Sequence, residues 1–348
     1  MDGKRNKRRA LPVIAVSGGD PAGIGPRIAL DACLYAARRK ICVPVLFTHE
    51  NAVAMPAAAL KKIRLVHTPG GAKKCPRPGR PTLGGAAIAF ASLRAAAGMV
   101  MSGEADALVT APVSKEWMSR IEPFSGHTEW LAVISGIDPE NVVMFFSGKK
   151  SAIATVTRHI ALSEVAAALK PGAITRTVAL VCGSLVLDFR MKKATVGICA
   201  LNPHASDGGL TGHEEKTVIE PAVAAARKIV DRAGWARRIR LLGPMGADAL
   251  MRQMALGKIQ ACVAMYHDQA MIAAKVLEPH SSVGCTLGLP FIRTTPSHGT
   301  AFDIAASPSG RPSSESMKAA VRLAVKISSG KGGLRQRLRA LSKQEFIF

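Results

Sequence analysis

Three histidines in this chain follow short apolar runs, each in the same relation to the run before it. His159 comes after the run 152–157, His204 after the run 194–200 and Asn202-Pro203, and His267 after the run 261–265 and Tyr266. Taken singly, each is more readily read as a hydrogen-bonded structural histidine than as a ligand. Together they offer three imidazoles that neighbouring strands can bring to one crevice, and three protein ligands with an open position make a catalytic metal site. Asp268, next to His267, is a candidate for orienting that ring, holding the metal's water or handling a proton. A second group is suited to anions. Lys275 lies in an otherwise apolar stretch, where an unpaired ammonium is costly. Arg293, at the end of T-L-G-L-P-F-I-R, offers the planar fork that fits phosphate or carboxylate. G-H-T-E, 126–129, joins this group, and the competing reading for each charge is an ordinary ion pair.

Two glycine-bearing turns complete the chemically capable set. In G-D-P-A-G-I-G-P, 19–26, Gly23 and Gly25 permit close backbone approach, and the free N–H groups of a helix start suit an anion. A structural strand-to-helix turn explains it as well, and it is not G-x-G-x-x-G. In S-H-G-T-A-F-D-I-A, 297–305, His298, Gly299 and Asp303 could line a nucleotide site, or the segment could simply cap a helix.

The elements that must position these groups alternate along nearly the whole chain. Strands are predicted at 13–16, 42–47, 63–67, 107–110, 142–146, 152–157, 194–200, 239–242 and 261–265, and helices at 27–39, 86–101, 162–169, 214–233 and 315–329. That rhythm predicts an α/β protein with mostly parallel sheets, whose ligands bind beyond the carboxyl ends of the strands. Glu214 and Glu215 read as partners of a helix N-terminal dipole. The stretch 69–81, rich in Pro, Gly and basic residues, reads as a loop.

The chain has 348 residues and 48% hydrophobic composition, enough for a large packed core and against disorder or collagen. Its apolar stretches, 84–101 included, are broken by Arg94 and by Gly, short of the about 20 apolar residues of a bilayer span. The basic start, 1–10, reads as a flexible tail rather than a signal peptide. Seven scattered cysteines, odd in number and never C-x-x-C, predict reduced thiols, a cytoplasmic location and no zinc ribbon. Lys and Arg number 47 against 24 Asp and Glu, a formal charge of +23. A basic nucleic-acid-binding protein is therefore the rival class. Only 4% aromatic residues, with the basic ones spread over the whole chain, favour a basic solvated surface instead.

At this level the chain resembles a known family. G-D-P-A-G-I-G-P, T-A-P-V-S-K (110–115), G-H-T-E, L-N-P-H-A (201–205), the Gly-Gly with Glu214-Glu215 after it, G-P-M-G-A-D (243–248), A-M-Y-H-D-Q (264–269), T-L-G-L-P-F-I-R and H-G-T-A occur in the order found in the 4-hydroxythreonine-4-phosphate dehydrogenase family of vitamin B6 biosynthesis. The match runs from Val13 to Ser329.

The resemblance implies a two-domain isocitrate/isopropylmalate-dehydrogenase-like fold with an interdomain cleft. A first α/β domain would comprise 11–125 plus 295–348, and a second, 126–294, would carry the metal ligands and dimer interface. It implies a homodimer whose active site is shared between subunits, with a divalent Zn, Mg or Co held by His159, His204 and His267. His127, Thr128, Lys275, Gly284 and Arg293 would contact substrate, Lys115 or Asp268 would handle protons, and NAD or NADP would be the cofactor. The implied reaction oxidises 4-phosphooxy-threonine to a 3-keto acid that decarboxylates to 3-amino-2-oxopropyl phosphate. The chain departs from the family pattern at three points. Gly284 replaces the usual Asn, Arg27 replaces a Glu, and Ala306 replaces a Gly. The first bears on substrate, since relatives act on 4-phosphorylated threonate or erythronate or on carboxylated cyclohexadiene diols.

Overall fold

Short runs, most of them rich in Val, Ile, Leu and Ala, form one continuous eleven-stranded sheet in the computed structural model, which describes residues 11–53, 62–71, 74–279, 281–307 and 309–329. The basic tail, 1–10, lies outside the described residues. The strands are β1 (Val13–Ser17), β2 (Val43–Thr48), β3 (Arg64–His67), β4 (Ala107–Thr110), β5 (Val143–Ser147), β6 (Ala152–Thr155), β7 (Ala194–Cys199), β8 (Ile239–Met245), β9 (Ala261–Ala264), β10 (Val283–Leu287) and β11 (Ile292–Pro296). Their spatial order is β3-β2-β1-β4-β11-β10-β5-β6-β9-β7-β8. The sheet is mostly parallel, as expected; only the β11/β10, β10/β5 and β5/β6 pairings are antiparallel.

Those three reversals have a consequence the sequence does not announce. The block β3, β2, β1, β4, β11 runs one way and the block β6, β9, β7, β8 runs the other. The carboxyl ends of the two blocks therefore lie at opposite edges of the sheet, not along one crevice. The domain boundary expected between residues 294 and 295 falls inside β11, which pairs with β4 on one side and β10 on the other.

The helices are α1 (Gly25–Arg38), α2 (Leu83–Met101), α3 (Lys115–Met118), α4 (His127–Ile134), α5 (Val165–Ala168), α6 (Pro171–Leu187), α7 (Glu220–Arg232), α8 (Ala247–Ala255), α9 (His267–Leu277), α10 (Phe302–Ala306) and α11 (Glu315–Ser328). One face of the sheet is covered from end to end by α1, α6, α7 and α11, whose apolar residues share a single cluster with Ile14, Leu46, Val109, Phe145, Val196 and Val263. Burying an aliphatic or aromatic side chain of this size contributes about 1.5–3 kcal/mol. The opposite face carries two separate clusters, one under α2 and α4 and one under α8 and α9. Side chains alternate along a strand, so Met144, Phe146, Gly284, Arg293 and Thr295 of β5, β10 and β11 project into the gap between these clusters.

Helix α2 is long and apolar enough to cross a membrane by length and composition, with a mean hydropathy of 1.5, but 56% of that window is buried inside the protein. It packs on β1, β2 and β4 as a core helix. The expected helix at 214–233 begins instead with a π turn, Glu215–Ile219, before α7, and Glu215 is buried within it. Its carboxylate serves the preceding loop, not a helix dipole.

Candidate functional site

The gap on the second face is a cavity of about 290 Å³. Its floor at one point is a cation. Arg293 on β11 is 6% exposed and donates from Nε and Nη2 to Thr110 Oγ1 at 3.1 and 2.8 Å, and from Nη1 to Thr286 Oγ1 at 3.0 Å. No carboxylate pairs with it among the described residues, and burial pushes its guanidinium down to about 10. A buried charge satisfied only by hydroxyls is costly unless an anion completes it. Thr128 extends the hydroxyl cluster, 3.5 Å from Thr286 Oγ1.

His127, the first residue of α4, lines the same cavity with its Nε2 buried and without a hydrogen-bond partner among the described residues. Burial first, then the charges of Arg293 and Lys115, hold it well below its ordinary value, so the ring is neutral. Lys115 reaches the site because residue 126 is glycine. A β-carbon there would stand 3.0 Å from Glu129 Oε2 and 3.1 Å from Lys115 Cε, at a φ of +147°. Glu129 is braced by Arg158, whose Nε is 3.7 Å away and whose other nitrogens donate to the carbonyls of Val142 and Pro139.

At the other end of the cavity β6 and β9 bring two histidines together. Their parallel pairing continues beyond the strands, with Val156 and Thr157 donating to the carbonyls of Ala264 and Met265. Two residues further on, the rings of His159 and His267 lie 5.2 Å apart, centre to centre. Partial burial first, then Lys115 and His267, lower the basicity of His159, leaving a neutral imidazole with a lone pair to give. His267 Nδ1 is 3.5 Å from Asp268 Oδ1.

His204 does not join them within the chain. Its side chain is 77% exposed, its Nδ1 is 3.1 Å from Asp207 Oδ2, and it stands outside the cavity. No group of three His, Cys, Asp or Glu side chains able to hold a metal occurs among the described residues. The two segments are nevertheless tied. Gln269 accepts from the Met265 N–H and donates to the Ala200 carbonyl, fixing the start of α9 against the chain that leads to His204.

The remaining sequence candidates divide. Lys275 lines the cavity, but from the exposed last turn of α9, so its ammonium keeps water and is not the desolvated cation its apolar neighbours suggest. His298 and Gly299 line the end of the cavity nearer Pro112, and His298 Nε2 is buried and unpartnered. Asp303 is exposed on α10 and does not line the cavity; neither does Asp268, which faces a neighbouring apolar groove. The turn 19–26 is structural. The N–H groups of Asp20, Ala22, Gly23 and Ile24 bond to Pro112 O, Asp20 Oδ1, Asp20 O and Thr300 O, and a β-carbon at Gly23 would strike Thr300 O at 2.6 Å. Thr110, Thr286 and Arg158 are site residues that sequence reasoning does not single out. The first two lie in quoted motifs, but nothing in their type marks them as partners of Arg293.

The family model described as pyridoxal phosphate biosynthetic protein PdxA matches residues 26–324. A 4-hydroxythreonine-4-phosphate dehydrogenase from Xanthobacter autotrophicus is 35% identical, over 93% of this chain and 96% of its own length. Among solved structures, a 4-hydroxythreonine-4-phosphate dehydrogenase from Klebsiella pneumoniae superposes with a TM-score of 0.74 at 29% identity, over 91% of this chain and 99% of its own. A terephthalate 1,2-cis-dihydrodiol dehydrogenase from Burkholderia xenovorans does so with a TM-score of 0.62 at 26% identity, over 91% and 98%.

Proposed function

Because the chain belongs to the pyridoxal phosphate biosynthetic protein PdxA family, we propose that it is a 4-hydroxythreonine-4-phosphate dehydrogenase, oxidising 4-phosphooxy-threonine to the 3-keto acid that decarboxylates to 3-amino-2-oxopropyl phosphate. The observation that carries this reading is Arg293, a buried cation whose hydrogen-bond partners among the described residues are threonine hydroxyls, beside the Nε2 of His127, which has no hydrogen-bond partner among them. That is a receptor for an anion. The test is nicotinamide reduction, with Zn, Mg or Co supplied, compared across 4-phosphooxy-threonine, 4-phosphorylated threonate and erythronate, and a carboxylated cyclohexadiene diol. Turnover of only the unphosphorylated diol would overturn the assignment.

His159 and His267 fit a metal by donor type, proximity and neutrality, with His204 as the third imidazole. The chemistry supplied by the bound groups is Lewis-acid polarisation of the reacting oxygen from the metal and hydride acceptance by NAD or NADP. The chain's own part is positioning. Arg293, Thr110, Thr286 and Thr128 hold the phosphate, and His127 donates from Nε2 to one of its oxygens. Lys115, beside Glu129 and in the field of His159, is placed to hold or move the substrate's hydroxyl proton; Asp268 stays an orienting group for His267. His298 and Gly299 flank the opposite end, where the nicotinamide nucleotide would enter.

The trio closes only if two copies meet. His204 is exposed, Leu210 at the end of its turn is 87% exposed, and Ile272 and Val276, 67% and 74% exposed, line a groove of about 400 Å³ between α8 and α9. An exposed apolar surface of this kind marks an interaction site. We assign it to a homodimer in which the active site is shared; sedimentation equilibrium should give twice the chain mass. Seven free cysteines fit a reducing, cytoplasmic compartment.

One observation favours a second reading. The wall beside Gly284 is apolar, formed by Phe146, Met144 and the methyl of Thr295. This suits the flat ring of a carboxylated diol, the substrate class named for the Burkholderia relative, whose carboxylate Arg293 would take.

A further inference from the structure

The turn that carries His204 is left-handed over five consecutive residues. His204, Ala205, Ser206, Asp207 and Gly208 have φ values of 49°, 57°, 68°, 46° and 73°, and only the last is glycine. Each of the other four sets its Cβ against a carbonyl oxygen, a clash that normally confines this conformation to single residues. Such a run persists only where the surroundings over-determine it, and it clusters at functional sites.

What over-determines it here is one buried carboxylate. Glu215 is 3% exposed, and its Oε1 accepts the N–H groups of Leu201 and Asn202, each at 2.8 Å. Its Oε2 accepts from Asn202 Nδ2 at 3.0 Å and from Ser206 Oγ. The entry to the turn and its middle residue are thus fixed to the same side chain. Asn202 Nδ2 also donates to Glu214 Oε2 at 2.8 Å, which in turn accepts the His213 N–H. The π turn at 215–219 fixes Glu215 itself to the start of α7, which packs on α6. His204 takes no part in this network. Its ring is exposed and, among the described residues, its one polar partner is Asp207, at Nδ1, so Nε2 is the nitrogen left to ligate. A loop with no task for His204 would need neither the strained backbone nor the buried charge.

We propose that Glu215 is a positioning residue that holds the left-handed turn so that His204 Nε2 is preset for the metal site. The inference rests on the reading of His204 as a metal ligand, and the experiment separates the two. Purified full-length protein is titrated with Co²⁺, followed by its visible absorption, alongside His204→Ala, Glu215→Gln and Ser206→Ala, with thermal melts for each. Glu215→Gln keeps one carbonyl oxygen for Leu201 and Asn202 but places an amide NH₂ against Ser206 and Asn202. Loss of a group that orients a metal ligand costs about 10–100-fold in metal affinity. Glu215→Gln should lose Co²⁺ affinity in that range, and Ser206→Ala should lose less, in the same direction. If His204→Ala binds Co²⁺ like wild type, the ligand reading fails and the inference falls with it. If His204→Ala loses Co²⁺ but folded Glu215→Gln does not, the inference alone is overturned, whatever its melting temperature. Should Glu215→Gln not fold, Ser206→Ala with unchanged affinity overturns it in the same way.

Discussion

The methyl of Thr295 occupies the space that a side chain on residue 284 would need, since a β-carbon built at Gly284 stands 2.8 Å from Thr295 Cγ2. The antiparallel pairing of β10 and β11 sets these two residues opposite each other, and the Thr295 hydroxyl donates to the Thr110 carbonyl at 2.9 Å, which fixes its rotamer. Gly284 is therefore not a vacated position but one half of a matched pair. Placing an amide there by Gly284→Asn should overpack the floor, at a cost of about 1–3 kcal/mol, and should raise KM. Thr295→Ser in the same chain removes the methyl, keeps the hydroxyl bond, and should recover both stability and KM. Urea melts and KM for 4-phosphooxy-threonine decide it: a single Gly284→Asn variant that is as stable as wild type with a lower KM contradicts the pairing.

Arg293 offers an unusual separation of stability from activity. Arg293→Met removes a buried cation that has no carboxylate ion pair among the described residues, but it also orphans the hydroxyls of Thr110 and Thr286. The two effects oppose, so the free protein should change by less than about 1 kcal/mol, far from the roughly 3–5 kcal/mol of breaking a buried ion pair. Substrate binding loses charge-assisted hydrogen bonds worth about 1.5–3 kcal/mol, or roughly 10- to 150-fold in kcat/KM. Chemical denaturation and steady-state kinetics on one preparation test both halves. Wild-type kcat/KM for a phosphorylated substrate would remove Arg293 from the anion site.

Much of this arrangement is legible in the residues and some is not. All nine expected strands are present, because short apolar runs set between polar or turn-forming residues stand out from the longer Ala-rich helical stretches. β10 and β11 escape notice because V-G-C-T-L and I-R-T-T-P hold too few branched apolar residues to stand out from the motifs around them. α6 escapes because P-G-A-I-T-R-T-V-A-L-V-C-G-S-L-V-L is apolar on nearly every side and shows no amphipathic period. The positions of His159 and His267 after parallel neighbours are readable, and their rings do meet. What sequence cannot carry is direction. The reversal through β10, β5 and β6 sends the two parallel blocks opposite ways and decides which strand ends share a cavity. The exposure of His204 likewise depends on Glu215, fourteen residues beyond Leu201, closing the turn.

A shared site predicts complementation. His159→Ala and His204→Ala should each be inactive as homodimers. If the trio is drawn from both copies of a two-fold dimer, mixing and reassociating the two at equal concentration gives heterodimers in which one site has lost both ligands and the other has all of them. About half the dimers would be mixed, each with one good site, so activity should return to about a quarter of wild type. Activity assays before and after reassociation test this. A mixture as inactive as its components would show that each site takes both histidines from one chain.

The final prediction concerns acid, and its sign follows from His127. Burial, Arg293 and Lys115 hold its folded value well below the 6.5 of a free imidazole. Between those two values the unfolded chain binds a proton that the folded chain refuses, so stability contributed here is fully present above pH 6.5 and is lost as pH falls toward the folded value. The slope from this one group approaches about 1.4 kcal/mol per pH unit, and His159, lowered in the same direction, adds a smaller share because it is more exposed. His127→Gln should flatten the dependence below pH 6.5 and leave stability at pH 7.5 nearly unchanged. An anion bound at Arg293 should act similarly on wild type, because it offsets the positive charge that disfavours protonation of His127. Urea unfolding at pH 7.5, 6.5 and 5.5, with and without saturating inorganic phosphate, measures all of this. If the His127→Gln slope matches wild type, the acid sensitivity belongs to another group; if phosphate fails to reduce the wild-type slope, the anion does not sit between Arg293 and His127.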